Sequence, residues 1–303
     1  MTPTRLGVRL LFAVAVLSAV VLAPTAGAGG APRHRSAYAG LGTWLDIYAT
    51  SSWVHPQREV AAMARDGART LYLQTGNYEQ RAGPVRPRKL GGFIDAAHAA
   101  GMRVVAWYLP SFLYPVQDTR RALAAIRFRS PKGERFDSFA LDIEASLVRS
   151  VPLRSERLLQ LSARLRAAVG HRYPLGAIIP SPVGMRRHPA YWPNFPYRQL
   201  ARSYNVFLPM AYATDAGVRG SKATRAYNAT DVAVIRARTG KPRVPIHLIG
   251  GLANAMGAGE TTGFMQAVAD CAPLGYSLYD FPITSRAAWK ALEAPPPADR
   301  PCT

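Results

Sequence analysis

Short apolar segments alternate with amphipathic stretches along this chain, the pattern of parallel strands connected by helices. The predicted strands span 43–48, 70–75, 103–109, 137–143, 174–180, 205–211, 244–249 and 276–281. The predicted helices span 56–67, 89–100, 118–128, 155–169, 196–203, 222–239, 260–270 and 285–293. Eight such repeats over about 250 residues predict an α/β fold of one kind, a closed (β/α)8 barrel or TIM barrel.

An open doubly wound sheet is the alternative fold for the same alternation. Such a sheet, when it binds a dinucleotide, carries a Gly-rich phosphate turn after its first strand. Here that position reads Ala49-Thr50-Ser51-Ser52, so the turn is missing. We therefore expect a single barrel over 41–295, preceded by a flexible lead-in at 29–40 and followed by a tail at 296–303.

The first 28 residues have the composition of a secretory signal peptide. Arg5 and Arg9 precede an uncharged apolar run from Leu10 to Ala23, and small residues at 26–28 offer a cleavage site. An uncleaved N-terminal anchor is the alternative interpretation. Both interpretations predict a secreted or extracellular domain.

Basic residues dominate the charge of the chain, which carries +20 from 38 Lys and Arg against 18 Asp and Glu. No basic run with interleaved aromatic residues stands out, so we expect no nucleic-acid partner. The positive charge favours association with anionic cell-wall polymers or membrane headgroups. Solubility alone explains the same charge equally well.

Cys271 and Cys302 are the two cysteines of the chain, and both lie near its C-terminus. In an exported protein they are expected to form a disulfide that holds the tail to the last helical region. No histidine stands at a spacing suited to a zinc site, and we predict no metal and no other cofactor. His247, on the seventh strand, is expected to be a hydrogen-bonded core or rim residue.

Acidic residues mark the C-terminal strand ends, where barrel enzymes place their active sites. Asp142 and Glu144 are two positions apart on the fourth strand, so both point to one face of it. That face is expected to be the barrel interior, because Phe139, Leu141 and Ile143 suit the layer facing the helices. Neighbouring carboxylates raise each other's pKa, which allows Glu144 to act as a general acid on a glycosidic bond.

Three further acids are candidate substrate-binding residues at the same end of the barrel. Asp46 and Asp280 belong to the first and eighth predicted strands, where a helix cap or an ion pair is the alternative role. Asp215 lies in the polar loop after the sixth strand and also suits a turn. Asp137 opens the fourth strand and is expected to have a structural or supporting role.

Aromatic residues cluster at these strand ends and in the loops that follow. Trp44, Trp107 and Tyr108 are predicted to bind the substrate, and Tyr212 is a catalytic candidate at the mouth of the sixth strand. Aromatic rings stack on sugars, although each ring taken singly also suits simple packing. The other members of the group are Tyr48, Trp53, Tyr78, Phe112, Tyr114, Trp192 and Tyr279.

The segment from Asp137 to Glu144 resembles the D-x-x-D-x-D-x-E signature of family 18 glycoside hydrolases, and Met210-Ala211-Tyr212 resembles that family's M-x-Y-D motif. The resemblance implies that Glu144 is the general acid and that Asp142 and Tyr212 position the N-acetyl group of the substrate. Two departures are Ala140, where the signature has its middle Asp, and Ala213, where the motif has its Asp. A third is the lack of a tryptophan at the end of the eighth strand.

Family 25 lysozymes offer a second resemblance. They carry an Asp on the first strand, D-x-E on the fourth and an Asp on the eighth, and Asp46, Asp142, Glu144 and Asp280 are similar to this layout. The two resemblances agree on a glycoside-hydrolase-like barrel of the transglycosidase superfamily. They differ on whether the nucleophile is a protein carboxylate or the substrate's own acetamide oxygen.

The sequence therefore predicts a secreted glycosidase that acts on cell-wall or N-acetylated polysaccharide through Asp142 and Glu144. A non-catalytic glycan-binding or cell-wall-binding barrel is the alternative, motivated by Ala140. Adhesion to the wall or to a membrane through basic charge is a third hypothesis, which needs no specific site.

Overall fold

The computed structural model describes Met1, residues 37–81 and 83–299, and Cys302. Within these residues, eight parallel strands close into one barrel in sequence order, and the last strand pairs with the first. The predicted (β/α)8 barrel is therefore confirmed. Apart from Met1, the predicted signal peptide at 1–28 lies outside the described residues, as does most of the lead-in.

The strands lie close to their predicted positions, with two informative differences. The first strand begins at Gly40 rather than at residue 43, because Gly40 to Gly42 pair with the eighth strand although two of these residues are glycines. The first and eighth strands also end before Asp46 and Asp280, so these acids follow the strands instead of lying inside them. The observed strands are β1 (Gly40–Leu45), β2 (Thr70–Asn77), β3 (Arg103–Leu109), β4 (Ser138–Asp142), β5 (Leu175–Pro180), β6 (Val206–Met210), β7 (His247–Leu252) and β8 (Gly275–Tyr279).

Within the described residues, nine α-helices surround the barrel. They are α1 (Pro56–Arg65), α2 (Pro87–Ala99), α3 (Pro115–Arg127), α4 (Val151–Val169), α5 (Pro182–Arg187), α6 (Tyr197–Ser203), α7 (Ser221–Thr239), α8 (Ala258–Cys271) and α9 (Arg286–Leu292). Helices α2 and α3 begin earlier than expected because proline is tolerated in a first helical turn. The short α5 was not expected from the sequence, and its start is capped by the Ser181 hydroxyl, which accepts a hydrogen bond from the Gly184 N–H at 2.9 Å.

Alternating residues of the strands form two separate apolar layers. On β4, Phe139 and Leu141 pack in the outer layer between strands and helices, together with Ile143 beyond the strand end. Ala140 packs in the barrel interior with Trp44 and Trp107. This alternation sends the next inward position, Asp142, into the C-terminal mouth of the barrel.

The lower interior holds a polar group, the floor cluster, which consists of Tyr38, Tyr72, Ser138, His247 and Ser277. The Tyr38 hydroxyl lies 2.6 Å from the Ser138 hydroxyl, and the two ring nitrogens of His247 lie 2.9 Å from the Tyr38 carbonyl oxygen and from the Ser277 hydroxyl. Burial lowers the pKa of His247 to about 4, so the ring is neutral at neutral pH.

Glycines make room for these rings. A Cβ atom at Gly42 would lie 2.6 Å from the Tyr72 ring, and one at Gly275 would lie 2.4 Å from the His247 Nδ1 atom. Both distances are too short for side-chain packing, so any larger residue would displace the floor cluster. Gly42, one of the two glycines that obscure the start of β1 in the sequence, is therefore required by the packing.

A disulfide joins Cys271, the last residue of α8, to Cys302, with a Cα–Cα distance of 4.6 Å. The predicted cross-link between the tail and the last helical region is confirmed. Hydrogen bonds reinforce it, because Arg225 on α7 donates to Asp299 in the tail at 3.0 Å and to Asp270 on α8 at 2.6 Å.

Candidate active site

Strand β4 delivers two carboxyl groups to the mouth of the barrel. Asp142 is its last residue and is 5% exposed, while Glu144 follows two positions later and is half-buried. The Oδ1 atom of Asp142 is buried and accepts no hydrogen bond from any described residue. Neither acid belongs to an ion pair among the described residues. A buried carboxyl group without a partner is costly for folding, and so it points to a role beyond stability.

Both acids favour the protonated state more than ordinary carboxyl groups do. Burial raises the pKa of Asp142 well above its usual value, and the charge of Glu144 raises it further. Burial also raises the pKa of Glu144. The pair can therefore hold a proton at a pH where isolated carboxyl groups are ionised.

Tyr212 lies two residues beyond β6 and faces these acids. Its pKa is raised well above the usual value by burial and then by the charges of Asp142, Glu144, Asp215 and Asp280, in that order. The phenol therefore stays protonated and can donate a hydrogen bond into the mouth.

A second pair of acids, Asp46 and Asp280, lies at the ends of β1 and β8. Tyr279 connects this pair to the rest of the mouth, because its hydroxyl donates to Asp46 Oδ2 at 2.8 Å and its ring centroid lies 6.5 Å from that of Tyr212. The other oxygen of Asp46 accepts from two backbone N–H groups. Burial and the charge of Asp46 raise the pKa of Asp280 to about 7.

Tryptophan rings form the base of the mouth. The ring of Trp44 stacks on that of Tyr72, with 4.2 Å between the ring centroids. It also makes an edge-on contact with the ring of Trp107, with 6.0 Å between the centroids. The Trp44 Nε1–H donates to the Ser277 hydroxyl, whereas the buried Nε1 of Trp107 finds no partner among the described residues. Trp107 thus offers an unused donor next to the acids.

The structure does not bring every candidate residue into this mouth. Tyr108 lies in the outer layer, and its hydroxyl donates to the buried Asp118 at 2.8 Å. Asp215 lies in an exposed loop near Tyr212, and partial burial raises its pKa. Asp137 accepts a hydrogen bond from the backbone N–H of Val104 at the opposite end of β4, which agrees with a structural role.

Tyr191 belongs to the mouth but was not expected from the sequence. It lies in the loop between α5 and α6, and its hydroxyl donates to the main-chain carbonyl oxygen of Glu144. Burial and the charge of Glu144 raise its pKa. The buried guanidinium of Arg154 packs 4.2 Å from the centroid of the neighbouring Trp192 ring and donates to the Tyr191 carbonyl oxygen, which fixes this loop.

The part of the chain that the structure describes lacks both a metal-binding cluster and a membrane-spanning helix. No group of three or more His, Cys, Asp or Glu residues there is arranged to hold a metal ion. No helix there is long and apolar enough to cross a membrane.

Comparisons with known proteins show the class of fold. No family model and no curated protein sequence matches the chain. Among solved structures, an endo-β-1,4-mannanase from Thermotoga petrophila matches with a TM-score of 0.61 at 11% identity, covering 80% of this chain and 68% of the mannanase. A chitinase from Chromobacterium violaceum matches with a TM-score of 0.59 at 13% identity, covering 84% of this chain and 98% of the chitinase. The spore cortex-lytic enzyme SleL of Bacillus cereus matches with a TM-score of 0.58 at 9% identity, covering 84% of this chain and 73% of SleL.

The chain therefore shares the TIM-barrel fold of these glycoside hydrolases. Identities this low establish the fold alone, and the activity has to be argued from the site.

Proposed function

We propose that this protein is a secreted glycosidase that hydrolyses cell-wall or N-acetylated polysaccharide with Asp142 and Glu144. One observation carries the proposal: a buried Asp142 oxygen with no hydrogen-bond partner among the described residues lies beside a half-buried glutamate, at the C-terminal mouth of a barrel. Such a pair destabilises the fold unless a ligand uses it. The named activities of the structurally similar chitinases, mannanases and cortex-lytic enzyme support a polysaccharide substrate.

The proposed reaction retains the configuration of the anomeric carbon. Glu144, whose pKa is raised by burial, protonates the glycosidic oxygen as the bond from that oxygen to the anomeric carbon breaks. The acetamide oxygen of the substrate attacks the anomeric carbon, Asp142 stabilises the positive charge, and Tyr212 donates a hydrogen bond to the acetamide. Water then attacks the anomeric carbon and gives a proton to Glu144, while the bond from that carbon to the acetamide oxygen breaks. This step frees the acetamide and restores the acid form of Glu144.

Substrate assistance is proposed here on the resemblance of the β4 segment and of Met210-Ala211-Tyr212 to family 18 glycoside hydrolases. Burial and the charges of Asp142 and Glu144 raise the pKa of Tyr212, so its hydroxyl keeps the proton that it would donate to the acetamide. Asp46, Asp280, Trp44 and Trp107 are then left to bind the sugar rings next to the cleavage point.

Replacing Glu144 by Gln tests the proposal. We expect the release of reducing ends from peptidoglycan or chitin to fall about 100- to 10,000-fold, because the acid is lost while the shape is kept. Glu156→Gln, at an exposed site on α4, is the matched control and should retain activity. Equal activity of the Glu144 variant and the wild type would remove Glu144 from this role.

Ala140 favours a second candidate function, glycan binding without cleavage. Its side chain is buried in the interior on the same face as Asp142, so no second carboxyl group lies at that position to share the Asp142 proton. A binding protein would retain insoluble polysaccharide without releasing reducing ends, and Glu144→Gln would leave retention unchanged. Detectable turnover by the wild type would exclude this candidate.

A further inference from the structure

Exposed apolar side chains are concentrated on one part of the rim. Among residues 37–81 and 83–299, seven large apolar side chains are exposed, and five of them come from the segments that follow β3 and β4. We call these five the apolar ridge: Leu113, Tyr114, Val116, Leu147 and Leu153, with exposures of 38% to 65%. Clusters of this kind on a soluble domain mark an interaction surface.

The ridge is one continuous surface. Strands β3 and β4 are neighbours in the barrel, so their following loops lie side by side. Arg157 on α4 fixes the two loops together, because its guanidinium donates to the carbonyl oxygens of Phe112 at 2.9 Å and Leu113 at 3.3 Å.

Positive charge accompanies the ridge. On α3, Arg120 lies one turn after Val116, and on α4, Arg157 lies one turn after Leu153, so each arginine shares a helix face with an exposed apolar side chain. A further exposed arginine, Arg149, follows Leu147 by two positions. Within 113–120 and 145–157 the acidic residues are the buried Asp118 and the exposed Glu156, so basic charge prevails.

We propose that the apolar ridge docks the barrel on an anionic phospholipid surface. Aliphatic side chains insert at the boundary between headgroups and acyl chains, while arginines stay at the level of the phosphates. A saccharide would be recognised by aromatic rings, but four of the five ridge side chains are aliphatic. The overall charge of +20 attracts the protein to the same anionic surface. Docking in this orientation brings the mouth close to the lipid, and it does not depend on the proposed hydrolysis.

Vesicle binding by matched double variants tests the docking. The purified full chain is sedimented with vesicles of phosphatidylcholine alone, or of equal parts phosphatidylcholine and phosphatidylglycerol. Tyr114→Asp with Leu147→Asp removes two ridge contacts. Tyr48→Asp with Val54→Asp makes the same charge change at exposed apolar sites on the β1 side of the rim, 61% and 49% exposed. We expect the ridge variant to bind mixed vesicles at least about tenfold more weakly than the control variant.

Four results would overturn the proposal. Equal binding of the two double variants to mixed vesicles would show that net charge alone causes the binding. Equally strong binding of the wild type to vesicles of phosphatidylcholine alone would show that anionic lipid is not required. If the ridge variant still bound vesicles but no longer retained polysaccharide, the ridge would be a glycan-binding surface. If it still bound vesicles but no longer self-associated, the ridge would be an interface between two copies of the chain. The unfolding midpoints of both variants are measured first, because Tyr48→Asp also removes the hydroxyl that accepts a hydrogen bond from Asn77 at 2.6 Å.

Discussion

The floor cluster and the mouth of the barrel are both interior and both polar, yet their hydrogen bonding differs. In the floor cluster the side chains are paired: Ser138 donates to the Pro174 carbonyl oxygen, and the Tyr72 hydroxyl lies 2.9 Å from His247. In the mouth, Asp142 Oδ1 and Trp107 Nε1 are buried and have no partner in the described part of the chain. Paired polar groups cost little to bury and help to specify a fold, whereas unpaired groups destabilise it.

The two regions also differ in charge. The floor ring of His247 is neutral, since burial lowers its pKa to about 4. The mouth gathers carboxyl groups whose pKa values are raised, among them Asp142, Glu144 and Asp280. The difference indicates that the floor serves stability and that the mouth keeps its polar groups available for a ligand. The predictions below test this division.

Asp142→Asn should give the largest effect, and on activity alone. Polysaccharide cleavage should fall about 100- to 10,000-fold. The free energy of unfolding at neutral pH should not fall, because the raised pKa means that ionised Asp142 disfavours the folded state and Asn removes this cost. Cleavage rates measure the activity, and urea unfolding of the same preparation measures the free energy of unfolding. A loss of stability that parallels the loss of activity would contradict the division.

His247→Leu should show the opposite behaviour. It removes the partner of the Tyr72 hydroxyl and of the Tyr38 carbonyl oxygen, so the free energy of unfolding should fall by about 2–4 kcal/mol. Cleavage per folded molecule should stay near the wild-type value, since His247 lies below the mouth. Urea unfolding measures the stability, and cleavage rates divided by the folded fraction measure the activity. A loss of cleavage per folded molecule would assign the floor cluster to catalysis.

Asp280→Asn should change how stability depends on pH. The pKa of Asp280 is raised to about 7 from its ordinary value of 3.8, so the folded state binds its proton more tightly than the unfolded state does. The stability of the wild type relative to the variant should therefore fall as the pH rises from about 4 to about 7. Burial also raises the pKa of Asp231 to about 7, so Asp231 contributes to the pH dependence of both proteins. The difference between the wild type and the variant therefore reports the contribution of Asp280 alone. Parallel pH profiles would show that Asp280 titrates normally.

Tyr108→Phe should have the smallest effect. It removes one hydrogen bond to Asp118, which keeps others from Ser111 and Phe112, so the free energy of unfolding should fall by about 0.5–1.5 kcal/mol. Activity should not change, because Tyr108 faces the helices. A marked loss of cleavage would return Tyr108 to the substrate-binding residues.

Strand periodicity was sufficient to predict much of this arrangement. The alternation of Phe139 and Leu141 with Ala140 and Asp142 gave the inward face of β4 correctly. The same rule separates Trp107 from Tyr108, since adjacent strand residues face opposite sides. An aromatic ring near a strand end suggests the mouth for Tyr108, but the alternation of the strand places it in the outer layer.

Other features carry no local signal. Tyr191 reaches the Glu144 carbonyl oxygen from a loop 47 residues away, and only the folded barrel brings the two together. The start of β1 is hidden by Gly40 and Gly42, because glycine is a weak predictor of strands, and the floor cluster requires Gly42 for packing. Long-range packing, which the sequence does not display, sets both features.

The state of the two mouth acids is measured most directly by carboxyl-carbon NMR titration of Asp142 and Glu144, with Asp142→Asn for assignment. The account predicts that both groups titrate above the ordinary values of 3.8 and 4.5, and that protonating one weakens proton binding at the other. Two independent titrations at or below these ordinary values would show that the acids are ordinary solvated carboxylates, and the proposed proton donor would be lost.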